Sequence, residues 1–202
     1  MVFKFSNGVT LEDHRQATGK LIIVLTSAHC TQRDGHSPDF VRFISSNLSL
    51  LNGFDFKIIS IIVHPDYDPN EIQHDIAILV LDKYNPLPPA CLFQTLDPPF
   101  REVLALGYGA TEFGGKSSTA LHRVELDLYT NSECQNFYTQ ETIPITLTDY
   151  EICAGDIFGE RDTCQGDSGG PIIVKIQRQL ERIPYIIGLT SFGDQCASGK
   201  PG

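Results

Sequence analysis

The chain has 202 residues, a formal net charge of −10, 41% apolar residues and 20% charged residues. This composition is typical of a globular protein with one large or two small domains, and it excludes a disordered chain. The acidic balance argues against nucleic acid as a partner, because phosphate binding requires clustered lysine and arginine. No apolar run approaches the roughly 20 residues that span a bilayer, which argues against a membrane protein.

Short apolar segments separated by Gly, Pro and Asn turns run through the chain and predict strands. In chain order, the predicted strands are Leu21–Leu25, Val41–Ile44, Lys57–Val63, Ala77–Leu81, Val103–Leu106, Leu121–Leu128, Pro171–Ile176 and Pro184–Thr190. Helical periodicity with capping residues at its start predicts one short helix over Asn131–Thr139. The pattern favours an all-β sandwich or barrel, with the proline-rich stretch 85–90 connecting two halves.

A serine stands between glycines in residues 166–170, Gly-Asp-Ser-Gly-Gly. Serine attacks a carbonyl only when a base takes its proton and donors receive the developing negative charge. All six histidines precede Ser168, which excludes the α/β-hydrolase order, in which the histidine follows the serine. His29 follows one apolar run and Asp75 begins another. We therefore expect an imidazole base and a sheltered carboxylate that orients it.

Three segments resemble the catalytic motifs of the chymotrypsin/trypsin family of serine proteases. They are residues 26–30 (Thr-Ser-Ala-His-Cys), 74–79 (His-Asp-Ile-Ala-Ile-Leu) and 166–171 (Gly-Asp-Ser-Gly-Gly-Pro), in the family's order and with family-like spacing. The resemblance implies two antiparallel β-barrels, at about residues 1–88 and 89–202, whose first and last elements are incomplete. It implies His29 as general base, Asp75 as orienting carboxylate and Ser168 as nucleophile.

The resemblance also assigns the residues beside the nucleophile. It places the oxyanion hole at the backbone amides of Gly166 and Ser168, and it makes Asp167 the partner of the ammonium group that activation creates. This chemistry requires no cofactor. A calcium loop is superficially suggested by Asp66, Asp68, Asn70 and Glu71, but the EF-hand pattern needs glycine where Glu71 stands, so no metal site is predicted.

The primary specificity pocket is implied by the same resemblance. Asp162 lies at its floor, which implies cleavage of protein or peptide substrates after Arg or Lys, since a buried carboxylate favours a cationic side chain. Ser191, Gly193 and Gly202 are assigned to the pocket, with Ser191 also solvating the buried catalytic acid. Gln195 departs from the glycine that is common in the family.

The cysteines are consistent with the resemblance, which implies the disulfides Cys134–Cys153 and Cys164–Cys196. Cys30 and Cys91 lack the partners they would have in the family. Cys91 is implied to tether the domain to an upstream pro-region or clip domain. Six cysteines and a glycosylation sequon at Asn47 favour a secreted protein, although the first residues do not resemble a signal peptide.

Some positions depart from the family. Val103 and Val174 stand where a third bridge is usual, and we expect them to pack against each other. Apolar or aromatic residues replace three tryptophans, at Ile23, Tyr108 and Phe192. The stretches 89–92 and 107–115 resemble arthropod clip-domain proteases, which act in extracellular activation cascades.

The resemblance covers residues 21–202 and implies natural sequence beyond both ends, so the chain by itself is expected to be inactive or nearly so. The alternative is a non-catalytic protease homologue that serves as a binding module. Such homologues usually lose a catalytic residue, whereas this chain keeps all three.

Overall fold

The structure is a computed structural model, and it describes residues 2–3, 22–43, 46–49, 53–70, 73–83, 89–95, 98–138 and 147–201. Eleven strands, one α-helix and a 3-10 helix are found in these ranges. The strands form one sheet of four and one sheet of seven. No helix in the described part of the chain is long and apolar enough to cross a bilayer.

The smaller sheet has the order β2-β5-β4-β3, with every neighbouring pair antiparallel. Its strands are β2 (Ile23–Thr26), β3 (Phe40–Phe43), β4 (Phe54–Val63) and β5 (Ala77–Leu81). The five apolar residues of β5 are all buried, as expected for a central strand covered on both faces. Thr26 at the end of β2 and Val63 at the end of β4 both lie opposite Ala77, the first residue of β5. The segments after β2, after β4 and before β5 therefore share one edge.

The larger sheet has the order β1-β9-β8-β7-β10-β11-β6. Its strands are β1 (Val2–Phe3), β6 (Cys91–Leu92), β7 (Glu102–Gly107), β8 (His122–Tyr129), β9 (Glu151–Gly155), β10 (Pro171–Arg178) and β11 (Glu181–Leu189). β10 and β11 form a hairpin in which Pro171 pairs with Leu189. The residues before β10 and those after β11 consequently meet at one end of the sheet.

The core of the larger sheet is a cluster of buried aliphatic side chains from β7, β8, β9, β10 and β11. Val103 and Val174, which stand where the resemblance puts a bridge that is usual in the family, are both buried in this cluster, at 2% and 3% exposure. Burial of such side chains contributes about 1.5–3 kcal/mol each. Apolar burial thus occupies the place of a cross-link.

The α-helix α1 (Asn131–Tyr138) begins with a reciprocal cap. Thr130 N donates to Glu133 Oε2 at 2.8 Å, and Glu133 N donates to Thr130 Oγ1 at 3.2 Å. This capping box satisfies backbone amides that the first turn leaves free. The Cys134–Cys153 disulfide then ties α1 to β9.

The predicted all-β fold with two β units is confirmed, as the strands form two sheets, and each of the eight predicted strands overlaps an observed one. The predicted helix is confirmed within one residue of its end, as Thr139 lies outside the described residues. β4 begins three residues earlier than predicted, at Phe54, because Phe54 pairs with Phe43 of β3. β1, β6 and β9 were not predicted. The division near residue 88 stays a prediction, and β1 joins the larger sheet.

Candidate active site

The predicted base lies directly after β2. The chain turns there into the 3-10 helix Ala28–Thr31, which carries His29 on its first turn. Ala28 and Thr31 are buried, and Thr31 Oγ1 donates to Ala28 O at 2.7 Å. His29 is part-exposed, with 39% of its side chain accessible. The strand register brings it to the edge where Asp75 precedes β5.

Asp75 holds His29 through both carboxylate oxygens. The backbone amide of His29 donates to Asp75 Oδ1 at 2.7 Å, and the imidazole Nδ1 lies 2.6 Å from Oδ2. Ser191 Oγ donates to the same Oδ2 at 2.5 Å. Asp75 is only 3% exposed, so these donors replace the water that the carboxylate has lost. The Nδ1 contact leaves Nε2 as the ring nitrogen free to accept a proton.

His29 and Asp75 each shift the pKa of the other. The hydrogen bond with Asp75 raises the pKa of the His29 imidazole above its ordinary value. Burial pushes the pKa of Asp75 up, but hydrogen bonds from His29 and Ser191 together outweigh burial and hold that pKa below its usual range. The pair therefore favours an ionised acid beside an imidazole that gains a proton readily.

Ser168 lies in a turn just before β10, and this turn is bonded to the end of β11. Gly169 N donates to Thr190 O at 2.7 Å, and Thr190 N donates to Gly170 O at 2.9 Å. Ser27, two residues before His29, donates its hydroxyl to the same Thr190 O at 2.8 Å. The segments that carry the predicted nucleophile and base thus meet on one backbone carbonyl.

Glycine is needed at position 169 for this close approach. Its φ is +76°, and a Cβ there would lie 2.4 Å from Thr26 Oγ1. A larger residue would force the nucleophile turn away from the end of β2. Glycine after the serine therefore lets the two segments pack in contact.

Asp167, the predicted activation carboxylate, lies on the other side of the turn. Its Oδ1 accepts from Gly109 N at 2.8 Å and its Oδ2 accepts from Cys164 N at 2.9 Å. A Cβ on Gly107 would lie 1.8 Å from Asp167 Oδ1. The Gly-Tyr-Gly segment that begins at Gly107, the last residue of β7, thus leaves room for this carboxylate and forms a cradle around it. Sequence reasoning did not assign Gly107 or Gly109 to the site, although a Gly-x-Gly ending a strand was a usable signal.

Asp162, the predicted pocket floor, is bonded by backbone amides. Thr163 N donates to Oδ1 at 2.7 Å and Ala197 N donates to Oδ2 at 2.8 Å. Burial raises the pKa of Asp162 above its usual range, against these two hydrogen bonds. Asp162 and Asp167 both line a cavity of about 230 Å³. The carboxylates of Asp162 and Asp167 therefore lie beside the same cavity.

The predicted walls of the specificity pocket lie after β11. Ser191 is buried against Asp75 and Gly193 is exposed, while Gly202 lies outside the described residues. The neighbouring Pro201 is fixed at its carbonyl by the hydroxyl of Tyr138 at 2.7 Å. The Cys164–Cys196 disulfide joins the nucleophile turn to this region.

A second cavity of about 160 Å³ opens beside the imidazole. It is lined by His29, Tyr67, Pro69, Asn70, Asp75, Ser191 and Phe192. Its chemistry is mixed, with aromatic and proline surfaces next to the imidazole. Phe192, which stands where the resemblance puts a tryptophan in the family, thus borders the cavity beside His29.

Thr190 is the residue of this region that sequence reasoning missed most clearly. Its backbone joins the segments of the base and the nucleophile, yet its own hydroxyl is buried with no hydrogen-bond partner, alone among the side-chain N and O atoms of the described residues. No sequence signal distinguishes such a threonine from an ordinary strand residue.

The described residues contain no group of three or more His, Cys, Asp or Glu that could hold a metal ion. Cys30 is a free, exposed thiol and Cys91 a free, half-buried one.

Comparisons with known proteins identify the family. The trypsin family model matches residues 3–202. The chain is 38% identical to serine protease snk of Drosophila melanogaster over 184 residues, which cover 88% of this chain and 42% of that protein. It is 34% identical to serine protease Hayan of the same species over 193 residues, covering 89% of the chain and 30% of that protein. The chain therefore spans less than half of these two relatives.

A trypsin of Saccharopolyspora erythraea is 32% identical over 185 residues, which cover 89% of this chain and 75% of that protein. The family-model match over residues 3–202 includes His29, Asp75 and Ser168. The chain therefore belongs to the trypsin family of serine proteases, as its sequence motifs predict.

Proposed function

We propose that this chain is the catalytic domain of a trypsin-like serine endopeptidase that cleaves peptide bonds after Arg or Lys. The observation that carries the proposal is the triple hydrogen bonding of Asp75. Its carboxylate accepts from His29 N, faces His29 Nδ1 and accepts from Ser191 Oγ, at 2.7, 2.6 and 2.5 Å. A fixed imidazole with a free Nε2 is what a serine nucleophile needs as its base.

The proposed reaction runs in two half-reactions. Ser168 Oγ attacks the substrate carbonyl carbon while His29 Nε2 takes the hydroxyl proton, and the imidazolium is stabilised by Asp75. The proton on Nε2 then passes to the leaving amine as the C–N bond breaks, which leaves an acyl ester on Ser168. Water then attacks the ester carbonyl and gives a proton to Nε2. That proton passes to Ser168 Oγ as the ester bond breaks and the acid is released.

The oxyanion is proposed to bind the amides of Gly166 and Ser168. Gly166 adopts a φ of +97° in the turn, a conformation that glycine adopts without steric cost. Removal of one such donor typically costs about 10²–10³ in kcat. Asp167, cradled by Gly107 and Gly109, is proposed to accept the ammonium group of an activated N-terminus.

Specificity for Arg or Lys is proposed from Asp162. Its carboxylate is half-buried and its pKa is raised by burial, so an incoming guanidinium or ammonium would relieve an unfavourable charge. An apolar side chain would leave that carboxylate with its two backbone hydrogen bonds but without a counter-charge. A cation is therefore favoured over an apolar residue by several kcal/mol, on the order of 2–5.

The biological setting is proposed to be extracellular. Two disulfides are formed, and the sequon residue Asn47 directly precedes the exposed turn residues Leu48 and Ser49, which suits an oxidising compartment. Cys91 keeps a free thiol on β6, and we propose that it tethers a pro-region or clip domain in the whole protein. The substrates are then other proteins of an activation cascade.

Cleavage-site profiling tests the proposal. The full-length, activated protein is incubated with a peptide mixture, and mass spectrometry maps the bonds that are cut. We expect cuts after Arg and Lys, and a loss of roughly 30- to 5,000-fold in kcat/KM for these substrates in Asp162→Ser, which corresponds to about 2–5 kcal/mol. Asp55→Asn removes the same charge from an exposed ion pair with Arg42 and is the matched control. No cleavage by the folded protein would favour the non-catalytic binding module, and cleavage unaffected by Asp162→Ser would refute the assigned pocket.

A further inference from the structure

Two half-buried imidazoles lie beside the candidate acid and take no part in the proposed chemistry. The rings of His64 and His74 stack with centroids 4.7 Å apart and an interplanar angle of 9°. His64 directly follows β4, and His74 directly precedes Asp75. The ring of Tyr150, just before β9 of the larger sheet, lies 6.2 Å from the His74 ring. The stack therefore lies between the smaller sheet and the start of β9.

The backbone at this position is held in an uncommon conformation. His74 has a φ of +58°, in the left-handed region that residues with a Cβ rarely adopt. Ile76 N donates to His74 O at 2.7 Å, and His64 N donates to Ile76 O at 3.0 Å. The tight turn over residues 74–76 is thus joined to His64 twice, once through the backbone and once through the stacked rings.

This turn decides where the Asp75 carboxylate lies. Asp75 is its middle residue, and both carboxylate oxygens are committed to His29 and Ser191 at hydrogen-bonding distance. A left-handed residue persists only where its surroundings hold it. If the turn relaxed, the carboxylate would move relative to the imidazole that it orients, and small displacements of such groups reduce rates strongly.

We propose that the ring stack of His64 on His74 is a positioning device for the reaction, which holds the 74–76 turn so that Asp75 meets His29. The inference rests on the proposed function for its kinetic consequence, but its structural consequence, the His29–Asp75 hydrogen bond, can be measured without turnover. His64 and His74 are positioning residues, because they contact neither the substrate nor the reacting atoms.

The stack acts through its ring surfaces rather than through charge. Asp66 N donates to His64 Nδ1 at 3.2 Å, so that nitrogen carries a lone pair and the ring is neutral. Burial lowers the pKa of His64 below its ordinary value. A phenyl ring at position 64 should therefore preserve the contact, whereas a methyl group should not.

Four variants separate the ring contact from backbone and charge effects. His74→Asn keeps a residue type that tolerates the left-handed region but removes the ring. His64→Ala removes the other ring, and His64→Phe keeps a ring that cannot titrate. His122→Ala removes an exposed histidine of β8 that is bonded to Ser118, far along the chain from the turn, and serves as the control.

Two readouts are needed. Steady-state kinetics on an Arg ester gives kcat and KM separately, and proton NMR follows the strongly downfield Nδ1–H resonance of His29 that the Asp75 bond produces. For His74→Asn and His64→Ala we expect kcat to fall by roughly 10-fold or more with KM changed by less than about 2-fold, and the resonance to shift or broaden. His64→Phe and His122→Ala should keep both kcat and the resonance close to those of the unmodified protein.

The proposal is overturned if folded His74→Asn or His64→Ala retains the resonance and kcat of the unmodified protein, or if folded His64→Phe loses them. Thermal unfolding fixes a temperature at which all four variants are folded, so that loss of the fold is not mistaken for loss of position. If the unmodified protein shows the resonance but no turnover, the proposed function fails while the resonance still decides the positioning role.

Discussion

Replacing Asp75 by Asn is the perturbation whose outcome the structure fixes most tightly. Oδ1 accepts from the backbone amide of His29, and Oδ2 faces the imidazole Nδ1 and accepts from Ser191 Oγ. A backbone N–H can only donate, so the asparagine oxygen must take the place of Oδ1. Its NH2 group then faces His29 Nδ1, which must accept, and the ring proton is forced onto Nε2.

The expected loss in rate follows from this tautomer. An Nε2 that already carries a proton cannot take the one on Ser168, and kcat should fall by about 10⁴-fold, the size typical of this substitution in the family and equal to about 5.5 kcal/mol of barrier. Loss of the Asp75 charge also lowers the pKa of His29, because the hydrogen bond with Asp75 is the largest of the interactions that raise it. The acid limb of the residual pH–rate profile should therefore move to lower pH.

The assay is the acylation rate of the full-length, activated protein with an Arg ester, measured from pH 5 to pH 10. Ser191→Ala removes one donor to Asp75 but leaves the tautomer intact, so it should lose far less activity than Asp75→Asn. Asp55→Asn, which removes an exposed carboxylate, should leave the profile unchanged. Activity of Asp75→Asn within about 10-fold of the unmodified protein, or an acid limb at unchanged pH, would refute the reasoning.

Further predictions concern stability. Thr190→Val should stabilise the fold by about 1 kcal/mol and raise Tm by about 2–4 °C, because it removes a buried hydroxyl with no partner. Thr31→Val should destabilise the fold, because the Thr31 hydroxyl is bonded to Ala28 O at 2.7 Å. A lower Tm for Thr190→Val than for Thr31→Val would contradict this prediction. His29 has a raised pKa, so the stability that its protonation contributes is complete below its ordinary pKa of 6.5 and is lost as pH rises through the raised value. Calorimetry should therefore show Tm falling over that window less steeply in His29→Gln than in the unmodified protein, and equal slopes would contradict it. Removing the Cys164–Cys196 bridge, which spans 32 residues, should cost about 3–4 kcal/mol in urea unfolding, and an unchanged midpoint would exclude a stabilising role.

The sequence predicts the strands and the site residues well where the signal lies within a few consecutive residues. A glycine-flanked serine, a histidine after an apolar run and an aspartate before one are each visible in a few residues. The antiparallel registers of β2 with β5 and of β10 with β11 then bring those residues to shared edges. Continuous apolar runs such as β5 are also correctly predicted, because burial on both faces of a sheet selects uninterrupted aliphatic residues.

What the sequence could not predict depends on distant partners. β9 reads Glu-Ile-Cys-Ala-Gly and lacks alternation, yet all five residues are buried because β8 pairs with it and α1 is cross-linked to it. The cradle of Asp167 at Gly107 joins residues 60 positions apart, and the role of Thr190 lies in its backbone carbonyl, which any residue would supply. The left-handed φ of His74 is likewise a product of its contacts.

Covalent labelling measures whether Ser168, His29 and Asp75 act as one catalytic unit. The full-length, activated protein is treated with a fluorophosphonate, and peptide mapping by mass spectrometry locates the adduct. We expect stoichiometric modification at Ser168 that is lost when His29 is replaced by Ala. An unlabelled Ser168 in the folded, activated protein, or equal labelling in His29→Ala, would contradict it.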